Sequence, residues 1–68
     1  MNEAYYSVRA ALIEKIKQHG PTGWYRLEHG LRIPRSEFPH GYNVMTFLNE
    51  LERDGIIKKD DNGDYIIA

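Results

Sequence analysis

The sequence predicts a mainly α chain closed by a small β-hairpin, in the order helix, helix, helix, strand, strand. Apolar residues recur at helical spacing over Glu3 to His19 and over about Tyr42 to Arg53. Gly20-Pro21 and Asp54-Gly55 stop those stretches. Asn62-Gly63, set between two short branched-apolar segments, is a strong hairpin signal.

In the first helix Tyr5, Val8, Leu12 and Ile16 form one stripe, with Ser7, Glu14 and Gln18 opposite. Tyr6, Ala10 and Ile13 widen the apolar arc, an excess that suits either a homodimer contact or packing under the hairpin. Proline disfavours helix in the residue before it, so the helix ends at Gly20-Pro21. Thr22 is placed to cap a short second helix, Gly23 to His29, which presents Trp24 and Leu27 on one side. Gly30 would supply a left-handed end and Leu31 the apolar residue after it. Arg32 to Gly41 holds two prolines and reads as an ordered loop with room for one helical turn after Ser36. In the third helix Val44, Phe47, Leu48 and Leu51 recur at i, i+3, i+4 and i+7. Gly55 fits the left-handed position after it, with Ile56 packing back on Leu51. The hairpin would run Ile56 to Asp60 and Asp64 to Ala68. A two-residue turn at Asn62-Gly63 then sets Asp61 against Asp64, a like-charge pair that makes a bulge or longer loop the competing register. The expected core is Tyr5, Val8, Leu12, Ile16, Trp24, Leu27, Leu31, Val44, Phe47, Leu48, Leu51 and Ile56.

At 68 residues the chain has room for one domain, 1–68, with a thin core. It has no cysteine, so neither disulfides nor thiolate metal cages reinforce it. With 41% hydrophobic and 28% charged residues it is a folding composition rather than a disordered one. No apolar run reaches the ~20 residues of a membrane span and no secretory signal opens the chain, so a cytoplasmic location is expected. The net charge of −1 argues against a protein that coats nucleic acid by charge alone. That charge is uneven: residues 1–19 and 20–47 each carry +1, and residues 48–68 carry −3.

Leu48-Asn49-Glu50-Leu51-Glu52-Arg53-Asp54-Gly55-Ile56-Ile57 resembles the passage from recognition helix into wing of the winged helix-turn-helix family. Leu27-Glu28-His29-Gly30-Leu31 is similar to the end of that family's second helix, and the likeness extends over nearly the whole chain. The connection Arg32 to Gly41 is longer than the family's tight turn. The resemblance implies DNA binding through the third helix in the major groove, aided by the wing.

Opposite the apolar stripe of that helix, Tyr42, Thr46, Asn49 and Arg53 fall in line, with Asn43 and Glu50 flanking them. These side-chain types hydrogen-bond base edges and phosphates, Asn to adenine and Arg to guanine above all. Arg32, Arg35 and His40, in the preceding loop, suit the phosphate backbone, and so does Lys58 on the first wing strand. Lys58 and Lys59 are adjacent on a strand, so only one of them faces a given side. Asp60, Asp61 and Asp64 oppose phosphate at the wing tip, which is expected to point away from DNA.

No enzyme, cofactor or metal is expected. His19, His29 and His40 fall in three separate segments, and the six glycines form no phosphate-binding loop. The expected function is a small sequence-specific binder of double-stranded DNA, a transcriptional regulator. The alternative is a winged-helix module for protein contact, which the near-neutral charge and acidic tip favour.

Overall fold

The computed structural model describes residues 3–30 and 34–68, with Arg35 through its backbone alone. Among them are three α-helices, α1 (Glu3–His19), α2 (Trp24–Gly30) and α3 (Val44–Arg53), and two strands, β1 (Ile57–Lys59) and β2 (Tyr65–Ile67). A single 3-10 turn, Arg35–Glu37, lies between α2 and α3. No helix of the described residues is long and apolar enough to cross a membrane.

α1 has the predicted bounds, and its Val8, Leu12 and Ile16 are buried. It ends on Gly20, whose φ of +69° lets the Gly20 amide donate to the Ile16 carbonyl. That left-handed backbone is what glycine adopts without a steric penalty. Next, Thr22 and Tyr65 exchange two backbone hydrogen bonds, Thr22 N to Tyr65 O at 3.1 Å and Tyr65 N to Thr22 O at 2.8 Å. Thr22 thereby joins the edge of the hairpin. Its hydroxyl donates to the Gly20 carbonyl at 2.7 Å, so Thr22 braces the turn after α1 instead of capping α2.

α2 begins at Trp24 and includes Gly30 as its last residue, so Gly30 is not a left-handed cap. A Cβ there would sit 3.2 Å from Cε of Lys15, which makes Gly30 a point of close approach to α1. Trp24, expected in the core, is 48% exposed. It is the first residue of α2, and a helical side chain leans back over the turn before it. The buried aromatic on this side is Tyr65, 1% exposed, brought in by the Thr22 pairing. Leu31 and Arg32 lie outside the described residues.

α3 starts at Val44, two residues later than predicted, because Asn43 is its extended N-cap. It closes as predicted: Gly55 at φ +77° donates to the Glu52 carbonyl and Ile56 to the Leu51 carbonyl. β1 and β2 pair antiparallel with Ile57 opposite Ile67, Lys58 opposite Ile66 and Lys59 opposite Tyr65. The two-residue turn is therefore replaced by the longer one. Asp60 pairs with Asp64 around Asp61, Asn62 and Gly63, with Asp60 N donating to Asp64 O at 2.8 Å. A type I′ turn needs positive φ at both central residues. Here only Gly63 has it, at +80°, and the Asp60 carboxylate accepts from the Asn62 and Asp64 amides at 2.9 Å each. The like-charge contact is thus converted into an Asp-organised turn.

This register buries Ile57, and the core comprises Val8, Leu12, Ile16, Leu27, Val44, Phe47, Leu48, Leu51, Ile57 and Tyr65. Tyr5, Ile13 and Ile56 pack against it half-buried, while Tyr6 and Ala10 remain exposed. Leu48 is fully buried. Leu48→Ala is expected to cost about 2–5 kcal/mol, a large fraction of the stability of so small a chain, read from denaturant or thermal unfolding.

Candidate nucleic-acid interface

α3 is fixed on its inner side by Val44, Phe47, Leu48 and Leu51, all buried. Its exposed residues are Met45, Asn49, Glu52 and Arg53. Of the residues predicted to face outward from this helix, Asn49 and Arg53 are exposed, Arg53 beside Glu50 and Asp54, and the others are engaged in the cap or the aromatic cluster.

Asn43 and Thr46 form a reciprocal cap. The Asn43 Oδ1 accepts from the Thr46 amide at 2.9 Å and from its hydroxyl at 3.0 Å, and the Asn43 amide donates to Thr46 Oγ1 at 3.4 Å. Such a pair satisfies amides that the first helical turn leaves unpaired. Tyr42 lies before the cap, and its ring stands 5.0 Å from Phe47 and 5.6 Å from Tyr5. Its hydroxyl donates to Glu50 Oε1 at 3.4 Å. Burial, and then the negative charge of Glu50, hold the Tyr42 hydroxyl above its ordinary pKa. The other Glu50 oxygen, Oε2, is buried without a hydrogen-bond partner among the described residues.

Arg53 is well exposed, with its guanidinium 3.9 Å from Glu50 and 3.5 Å from Asp54. Exposed pairs of this kind are worth about 0–1 kcal/mol, too little to prevent Arg53 from turning to another anion. Arg35 stands in the 3-10 turn, where the Glu37 amide donates to the Pro34 carbonyl at 2.9 Å. His40 is exposed in the following turn, closed by Tyr42 N to Pro39 O at 3.0 Å with Gly41 at φ +83°. On β1, Lys59 places its ammonium 5.5 Å from the centre of the Tyr65 ring. Lys58 is exposed on the other face of the strand.

Sequence reasoning did not single out Arg9. It lines a groove with Tyr5, Tyr6, His40 and Tyr42, and its i, i+3 and i, i+4 spacing from Tyr6 and Tyr5 was the available signal. No group of three or more His, Cys, Asp or Glu residues that could hold a metal ion occurs among the described residues. His29 instead lies with its ring 4.2 Å from that of Tyr25. Comparison with protein-family models, curated protein sequences and solved structures finds no match to this chain.

Two predictions separate capping from surface roles. Asn43→Ala should lower stability by about 1 kcal/mol, whereas Asn49→Ala should stay within about 0.5 kcal/mol of the parent in the same unfolding assay. For Tyr42, a pKa raised by folding means that the neutral phenol favours the native state. Its contribution is complete below the ordinary tyrosine pKa and is lost as pH rises through the raised value. Tyr42→Phe should therefore flatten the alkaline arm of a stability–pH profile.

Proposed function

We propose that the chain is a winged helix-turn-helix domain that binds double-stranded DNA, serving in the cytoplasm as a small transcriptional regulator. The observation that carries this reading is the setting of α3. That helix is anchored by four buried residues, capped at both ends, and left with Asn49 and Arg53 pointing outward. The element order and the hairpin after α3 support it. A rigid helix presenting Asn and Arg is suited to base edges in a major groove.

Within this reading the residues divide by role. Asn49 and Arg53 read bases. Asn43 and Thr46 contribute by fixing the start of the helix, because their hydrogen-bonding groups are used in the cap. Arg32, Arg35, His40 and Lys58 supply phosphate contacts, and the Asp61-Asn62-Gly63 turn points away from the backbone. The exposed Tyr6 and Ala10 of α1 form a homodimer contact that pairs two such helices.

A second reading is protein contact without DNA. It is favoured by Trp24 and Tyr25 of α2, 48% and 63% exposed with their rings 5.6 Å apart, and by the acidic turn.

The two readings part in a duplex titration at low and moderate salt, with sedimentation of the same samples. The DNA reading expects binding that weakens as salt rises, a protein dimer on the duplex, and little gain from Asp61→Asn. Asn49→Ala or Arg53→Ala should cost about 1–3 kcal/mol on a preferred sequence. Absence of binding at high micromolar protein would leave the protein-contact reading in its place.

A further inference from the structure

Between α1, the loop before α3 and the C-terminal cap of α3 lies an open groove of about 760 Å³, lined by Tyr5, Tyr6, Arg9, His40, Tyr42 and Asp54. Arg9 is half-buried there and forms no ion pair among the described residues. A partly desolvated guanidinium without a carboxylate favours an anion, above all one offering paired oxygens. The groove's one carboxylate, Asp54, stands at its α3 end 3.5 Å from the Arg53 guanidinium, whereas Arg9 stands on the α1 side. His40 adds a second nitrogen base on the exposed side, and Tyr6, 49% exposed, adds a flat apolar surface.

We infer that this groove seats the sugar–phosphate backbone of duplex DNA, with Arg9 as its main phosphate ligand and His40 beside it. The inference rests on the DNA-binding reading and adds to it a contact from α1. Tyr42 links the two surfaces: its ring lines the groove, and its hydroxyl bonds Glu50 on the flank of α3 next to the Asn49–Arg53 face. A duplex receiving α3 in its major groove would carry a flanking strand along that side. The neighbouring groove, between the first turn of α1 and the 3-10 turn, is lined by Glu3 and Glu37. Those two carboxylates, with no Lys or Arg among the described lining residues, repel phosphate more than the single Asp54 of the Arg9 groove, which favours the Arg9 side.

The test uses the full chain and a mixed-sequence duplex over a range of salt. Arg9→Gln should weaken binding to every duplex sequence by about tenfold. It should also reduce the salt slope by about one, and Arg9→Lys should restore the slope. Suppose the parent binds and Arg9→Gln, melting like the parent, keeps its affinity and slope. The groove assignment is then overturned, and the DNA reading stands. Should the parent not bind at all, both are overturned. If Arg9→Gln fails to fold, the Arg9 Nε–Hε resonance of the unmodified, isotope-labelled protein decides. A shift on adding duplex supports the contact, and an unmoved resonance in a sample whose Asn49 amide shifts removes it.

Discussion

The burial of Phe47 is the constraint on which the arrangement of the α3 surface and the loop before it depends. Its ring is fully buried and meets Tyr5 of α1 at 5.4 Å, Tyr42 at 5.0 Å and Phe38 at 6.0 Å. Four rings thus tie the first turns of α1, the loop before α3 and α3 itself into one unit. Burying a ring of this size contributes roughly 1.5–3 kcal/mol, and each favourable ring pair about 0.5–1.5 kcal/mol more. Chains of this length have only a few kcal/mol to spare, so the cluster is a substantial share of what holds the loop in place. Beside it, the loop is held by the backbone hydrogen bonds of its two turns and by the buried Pro39 ring.

The same cluster decides which polar groups are available. Tyr42 is drawn inward by Phe47 and Tyr5, so its hydroxyl turns to Glu50 rather than to solvent. The chain then reaches α3 in extended form at Asn43, and Asn43 and Thr46 must satisfy the first amides of the helix. Polar residues that look alike on a helical wheel therefore do different jobs. Those at the start hold the helix, whereas Asn49 and Arg53 further along it are exposed.

Much of this was legible from residue spacing. The bounds of α1, the buried stripes of α1 and α3, and the glycine cap after α3 all follow from helical period and local chemistry. What was not legible depends on pairings between distant segments. Trp24 reads as core by its spacing from Leu27, but the Thr22–Tyr65 bridge brings Tyr65 into the interior instead. Ile57 rather than Ile56 is fully buried because the hairpin turns on three residues, and changing the loop by one residue moves every strand side chain to the other face. Asn62-Gly63 signals a hairpin correctly. Its register is fixed by the Asp60 carboxylate, which accepts two amides and so selects the longer turn. Arg9 went unremarked because the groove it lines exists only once the loop has folded back on α1.

Net charge is a weak guide to this protein because its charges are unevenly placed, with +1 on each of residues 1–19 and 20–47 and −3 on residues 48–68. The chain measures 33 × 23 × 18 Å, whereas screening at physiological salt acts over about 8 Å. The carboxylates of the hairpin turn and Arg9 of the α1 groove stand on separate elements of the chain. An overall charge of −1 therefore does not by itself describe the face holding Arg9, His40 and Arg53, where Glu50 and Asp54 also stand. It limits long-range steering instead, so recognition on this face would depend on short contacts made after encounter. The outward residues of α3 fit that demand, being few, held on a capped helix, and backed by fully buried side chains.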